Sequence, residues 1–256
     1  MSDIYTEESK NLDVIGHLEE LRKRILVYLG AISILGVVLF VHGRILMDMV
    51  KAPLRGLVPE LIFISPTESF VSYIKVILLS AFIFSFPVLL YLVWGFLAPA
   101  VPKNSRPRIM VWIAASLLLF IAGVFFSYFL LMPAALNFLL NFAKGVATAR
   151  ITLDRYVSFF TALILASGVI FQIPVGMTLM VDMGFMKARQ FRQKRLHSLV
   201  AILIAAAVIT PTQDIANMVL FAAPMAVLYE IGIIASDLIE RAKTRIKDDI
   251  NNRKGI

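Results

Sequence analysis

The stretch VILLSAFIFSFPVLLYLVWGFLAPAVP, Val76–Pro102, runs for 27 positions without one charged side chain. A helix crosses a bilayer with roughly 20 apolar residues, so this stretch reads as a membrane crossing. Five more charge-free runs flank it: Ile25–Val41, Ile109–Ala143, Tyr156–Val181, Leu196–Gln213 and Ile215–Tyr229. Hydrophobic residues make up 59% of the chain and mean hydropathy is +0.84, too apolar for a soluble domain of 256 residues. The expectation is an all-α integral membrane protein of one domain, 1–256. Its six transmembrane helices lie near 25–41, 70–96, 109–131, 155–181, 196–210 and 215–236, with a charged tail at 237–256.

The basic residues orient it. Lys and Arg gather before the first run, in the second and fourth gaps, and after the sixth run. These places hold 18 of the 25 basic side chains. Positive charge stays on the cytoplasmic side, so both termini are expected in the cytoplasm. Residues 1–15 have no apolar core and carry Asp3, Glu7, Glu8 and Asp13, so the first span serves as the insertion signal rather than a cleaved leader. The net charge of +8 follows topology, which points to lipid rather than nucleic acid as the anionic partner.

Asp13 can cap a first helix in which Val14, Leu18, Leu21 and Ile25 share one face. Its polar face carries Glu19, Glu20, Arg22, Lys23 and Arg24, with Glu19–Lys23 and Glu20–Arg24 at the i,i+4 spacing of solvated ion pairs. The first outer loop reads as an amphipathic segment (Ile45, Leu46, Met49, Val50) broken at Pro53. Ser65-Pro66-Thr67-Glu68 is a helix start with the pattern of a capping box, so the second helix begins outside the membrane. Thr152 or Asp154 can cap the fourth helix. Leu199–Thr210 spans only about 18 Å as a helix before Pro211-Thr212-Gln213-Asp214 turns the chain. The fifth and sixth helices therefore form a short hairpin in thinned membrane. Pro87, Pro133, Pro174 and Pro224 interrupt four runs and favour a curved wall over a tight bundle. The charged tail after Glu240 is expected to fray.

Polar groups at membrane depth are costly and often functional. Gln172 sits well inside the fourth run, either as an interhelical hydrogen bond or as a polar spot on a hydrated groove. Glu230 lies near the inner end of the sixth helix, within reach of Arg195 or Lys194, and Asp214 sits where it can cap that helix. His17, His42 and His197 are scattered, the HExxH and GxSxG patterns are missing, and the chain has no cysteine. Enzymatic, metal and thiol chemistry therefore have no support, and no cofactor is expected.

Several motifs taken in order then resemble the TatC family, the multi-spanning subunits of twin-arginine protein translocases. They are His17-Leu18-Glu19-Glu20-Leu21-Arg22-Lys23-Arg24, Ala52-Pro53-Leu54, Ser65–Phe70, Tyr91–Ala100, Phe171-Gln172-Ile173-Pro174, and Thr210–Asp214 through Pro224-Met225 to Tyr229–Gly232. The resemblance implies a cupped, glove-like wall of six helices in a bacterial inner membrane. It implies a receptor for twin-arginine signal peptides of folded cargo, driven by the proton-motive force. Partners would be TatA/TatB-type single-span proteins and other copies of the same chain. It places Glu20, with Glu19 and Arg22 beside it, in the signal-binding region, and Phe96 and Lys103 at positions that line it. Ser105 stands at the position of a family glutamate in the first cytoplasmic loop, and Gln172 stands where many relatives carry glutamate. Either Glu19, Glu20 and Asp182 take up recognition, or this chain reads a different signal. A solute transporter and a structural scaffold remain the competing classes.

Overall fold

The computed structural model describes residues 2–58, 60–97, 109–142, 150–209 and 215–254. Apart from one two-residue bridge, every regular element among them is helical. Five segments are long and apolar enough to cross a membrane: Leu18–Val41, Pro66–Phe96, Ile109–Asn141, Leu153–Asp182 and Met218–Arg245. The sixth expected crossing is α9 (Arg195–Ile209), whose 15 residues give a rise of about 22 Å. That falls short of the ~30 Å hydrocarbon core and matches the short fifth helix read from the sequence. The turn that follows, with Asp214, lies outside the described residues.

The first helix, α1 (Ser2–Val41), is continuous over 40 residues. A short amphipathic helix, α2 (Gly43–Lys51), follows it and buries Met47 and Val50. Of the four apolar residues of the amphipathic segment, Val50 is buried while Ile45 and Met49 are exposed. Pro53 ends the segment in a half-buried 3-10 turn, Ala52–Leu54. α3 (Pro66–Leu97) starts at the predicted Ser-Pro signal and runs unbroken through Pro87. α4 (Ile109–Phe126) passes through a π-turn, Ser127–Leu131, into α5 (Met132–Phe142). Pro133 removes the donor that would serve the Phe129 carbonyl, and that carbonyl lies inside the π-turn. α6 (Leu153–Ile170) breaks at Phe171–Gln172, and α7 (Ile173–Asp182) resumes with Pro174 in its first turn. α8 (Ala188–Gln193) leads into α9, and α10 (Ile215–Lys254) carries the chain on as helix.

Lys75, near the start of α3, pairs with Asp154 at the start of α6 at 2.5 Å, so these two helices run parallel. Their far ends lie at one face of the protein. Arg24 of α1 meets the end of α3 there, and Lys243 of α10 meets the end of α7. This terminal face opposes a cap built from α2 and the starts of α3 and α6.

Packing follows a row rather than a closed ring. α1 rests on α3, α3 on α6, α4 on α6, and α7 and α9 on α10. No residue in the most apolar stretch of α1 is buried. Such apolar exposure is what lipid-facing helices need. Between α4 and α6, Gly168 leaves room for the ring of Phe120, where a Cβ would collide with it. Phe120 is itself stacked on Phe86 with centroids 3.5 Å apart. Small residues let membrane helices approach closely in this way.

The tail beyond Glu240, expected to fray, continues as helix to Lys254. Its base is held by partners far away in sequence. Lys243 Nζ lies 3.1 Å from Asp182 Oδ1, Arg192 pairs with Asp237, and the Ala188 N–H donates to Glu240 Oε2 at 2.9 Å.

Candidate functional site

At the terminal face, α1 and α3 leave a groove of about 160 Å³ lined by Leu21, Arg24, Ile25, Tyr28, Leu92 and Phe96 among others. Helical spacing explains the lining on α1. Leu21, Ile25 and Tyr28 follow one another at i, i+4 and i+7, which turns one stripe of the helix toward α3. Tyr28 and Ser85 share a hydrogen bond across the two helices at 3.1 Å.

The groove's polar edge is a single linked set. Glu20 Oε1 accepts from Arg24 Nη2 at 2.5 Å, and Arg24 Nη1 donates to the Leu92 carbonyl at 2.6 Å. The guanidinium lies across Gly95, where any Cβ would collide with it. A carboxylate, a backbone carbonyl and a glycine notch thus hold one planar cation beside an apolar channel. The Glu20–Arg24 pair read from the sequence is therefore present, though it faces α3 rather than solvent.

The other expected residues fall in several places. Phe96 lines the groove, next to the Glu20 set. Glu19 and Arg22 are exposed on the opposite side of α1, and among the described residues the Glu19–Lys23 pair does not form. The turn of α1 that brings Glu20 and Arg24 onto α3 carries Glu19 away from it. Lys103 and Ser105 lie outside the described residues, as does Asp214. Asp182 is unsuited to recognition from outside, since it is 1% exposed and paired with Lys243.

Gln172 donates from Nε2 to the Ser116 carbonyl on α4 at 3.1 Å. This is the interhelical bond that its position suggested, and it stands apart from the α1–α3 groove. Glu230 pairs with Arg195 at 2.6 Å, one of the two partners expected, with both side chains about half exposed. Among the described residues no cluster of His, Asp or Glu could hold a metal ion.

The opposite face carries polar contacts that sequence reading missed. Lys75 Nζ also donates to Ser158 Oγ at 2.8 Å. Glu68 was expected to close a capping box on its own helix. Its Oε2 accepts the Ile64 N–H at 2.9 Å and its Oε1 reaches across to the Asp154 N–H at 3.0 Å. It thereby takes over the capping of α6, where Thr152 supplies no side-chain cap. These backbone donors hold the Glu68 carboxyl below its ordinary pKa, the Ile64 N–H most strongly. Three tyrosines complete the cap. Tyr73, Tyr128 and Tyr156 donate to the carbonyls of Phe40, Met49 and Val50 at 2.9, 2.8 and 2.6 Å. A tyrosine in an apolar run gives no sign that its hydroxyl will reach a backbone carbonyl far along the chain.

Comparison with known proteins places this geometry. Residues 16–224 match the family model for TatC, Sec-independent protein translocase protein. The chain is 34% identical to the Sec-independent protein translocase protein TatC of Aquifex aeolicus, over 90% of this chain and 97% of that one. It is 35% identical to the Escherichia coli K12 protein of the same description, over 87% of each. It is 32% identical to the chloroplastic protein of Pisum sativum, over 87% of this chain and 63% of that one. A crystal structure of the twin-arginine translocase receptor TatC superposes with a TM-score of 0.77 at 33% identity, covering 87% of this chain and 99% of that chain.

Proposed function

The chain belongs to the TatC family of Sec-independent protein translocases, and from that premise we propose that the α1–α3 groove is where it binds twin-arginine signal peptides. The observation that carries this reading is the Glu20 set. Glu20 already holds a guanidinium at 2.5 Å at the mouth of an apolar groove that includes Phe96. An arginine presents a planar fork that can meet a carboxylate with two parallel bonds, whereas a lysine is a single point charge. The apolar stretch of a signal peptide would follow its arginines along Leu21, Ile25 and Phe96.

The protein is a transport and receptor subunit that acts by binding rather than by bond chemistry. In this reading it works with TatA/TatB-type single-span proteins and further copies of itself, and the proton-motive force moves folded cargo. Both termini face the cytoplasm of a bacterial inner membrane, with the α2 cap outside. In the sequence, 18 of the 25 basic residues fall before the first apolar run, in the second and fourth gaps and after the sixth run, and seven fall elsewhere, which supports that orientation. Lys103 and Ser105, which follow α3 in the sequence, are assigned to signal-peptide binding in the same reading, and Pro53 to shaping the cap.

Glu20→Ala is expected to block export of a folded twin-arginine reporter while the protein still inserts in the membrane. Full export by that variant overturns the role of Glu20. A photoreactive probe at Leu21, which lines the groove and leaves the Glu20 carboxylate in place, should crosslink a twin-arginine peptide and spare its paired-lysine control. The chain has no cysteine, so single cysteines report orientation cleanly. Ile64→Cys should react with an impermeant maleimide in intact cells, and Lys254→Cys only after permeabilisation.

A further inference from the structure

In this structure Arg24 fills, from within the chain, the place that a ligand arginine would take. We infer that Arg24 is a built-in competitor for Glu20, and that a signal-peptide arginine binds by displacing it from a shared guanidinium seat. The inference rests on the reading of Glu20 as the receptor carboxylate.

The seat is built from two helices. Glu20 of α1 supplies the carboxylate, Leu92 of α3 supplies a carbonyl 2.6 Å from Arg24 Nη1, and Gly95 supplies the open floor. The last two turns of α3 end at Leu97, so the negative end of that helix adds to the attraction for a cation. The Arg24 side chain is only 23% exposed, unlike a solvated i,i+4 pair. One nitrogen bonds α1 and another bonds α3, a division that a planar guanidinium makes and a single ammonium does not. Arg22 and Lys23, its basic neighbours, are exposed and make no such contact.

A competitor held in the same chain acts on every ligand for that carboxylate alike. The apparent Kd is the intrinsic Kd divided by the fraction of molecules in which the seat is open. If the seat is open about one tenth of the time, binding is about tenfold weaker than the groove alone would give. The ratio between arginine and lysine peptides stays as the groove itself sets it. Arg24 therefore sets a threshold for engagement, and the groove sets selectivity.

The test uses the full-length protein in lipid nanodiscs with fluorescent signal peptides carrying either Arg-Arg or Lys-Lys. Arg24→Gln and Arg24→Lys are measured beside wild type. Arg24→Lys keeps the charge but gives up the planar fork that bonds Glu20 and the Leu92 carbonyl together, leaves the seat itself intact, and decides the matter if Arg24→Gln does not fold. Both are expected to tighten both peptides by a similar factor, up to about tenfold, with the Arg-Arg to Lys-Lys ratio unchanged. Lys23→Gln removes the same charge next door and should leave affinity near wild type. Weaker or unchanged binding in Arg24→Gln, or equal tightening in Lys23→Gln, overturns the inference. If Glu20→Gln binds both peptides as wild type does, the receptor reading falls and this one with it. If Glu20→Gln loses the Arg-Arg preference while Arg24→Gln weakens binding, only the competitor role is lost.

Discussion

The two faces of this protein are held together by different chemistry. At the cap, three tyrosine hydroxyls reach backbone carbonyls, and Glu68 and Asp154 tie the starts of α3 and α6 together. At the terminal face the contacts are mostly ion pairs with partly exposed members: Glu20–Arg24, Arg192–Asp237 and Arg195–Glu230. Exposed pairs of this kind contribute between zero and about 1 kcal/mol each, and an incoming charge can replace either member. Of the three tyrosine bonds, Tyr156 to Val50 is buried while those of Tyr73 and Tyr128 are exposed; the buried one has no such substitute, because leaving its carbonyl bare costs about 1–3 kcal/mol. The cap is thus built to stay formed, and the terminal face to exchange partners. α1, which carries Glu20 and among the described residues packs chiefly on α3, lies on the exchangeable side.

The largest test of that contrast is Tyr156→Phe. Tyr156 is 2% exposed and its hydroxyl is 2.6 Å from the Val50 carbonyl. Removing it should lower stability by about 1–3 kcal/mol, seen as an earlier thermal transition in detergent. Signal-peptide affinity should not move, since the bond lies at the far end of the molecule. A variant that keeps its stability but loses peptide binding would break the distinction between the two faces.

A smaller effect is expected from pH at the cap. The Glu68 carboxyl is held below its ordinary 4.5 by backbone donors. Its contribution to stability is therefore complete above that value and is lost as pH falls through the lower folded value. Wild-type melting temperature should drop on acidification below about pH 4.5. Glu68→Gln should start lower and lose the part of that slope that Glu68 causes. An identical acid slope in both proteins would remove Glu68 from the account of the cap.

How far the sequence revealed each face follows from the range of the contacts. The crossings were legible because charge is missing over long runs, and α9 was legible as short because Leu199 and Pro211 bracket it. Glu20–Arg24 and Arg195–Glu230 were within reach of spacing and helix position. The Glu19–Lys23 pair has the same spacing and does not form, because only one stripe of α1 meets α3. The lock of Lys243 on Asp182 joins residues 61 apart, and Tyr156 to Val50 joins residues 106 apart. No local pattern announces such pairs. The charged tail looked frayed for the same reason: its charges find partners on α7 and α8 that sequence distance hides. Arg24 was visible as a cation beside Glu20, but its seat on Leu92 and Gly95 needed the helix pairing.

Gln172 gives the smallest expected effect and the finest cut between the regions, since it lies at membrane depth between the two faces. Its Nε2–H to the Ser116 carbonyl joins the α6–α7 break to α4. Interhelical bonds of this kind average about 0.6 kcal/mol in membranes, so Gln172→Leu should shift the thermal transition only slightly. A structural bond predicts that export of a folded reporter persists near the wild-type rate. Gln172→Glu then adds the critical arm, because it keeps an acceptor and a similar shape but brings a titratable proton and loses the donor to Ser116. If Gln172→Leu abolishes export while stability holds, the polar group itself works at mid-depth, and the transport path extends inward from the α1–α3 groove. If export persists in Gln172→Leu and only stability changes, Gln172 belongs with the cap's permanent bonds, and exchange is confined to the ion pairs of the terminal face.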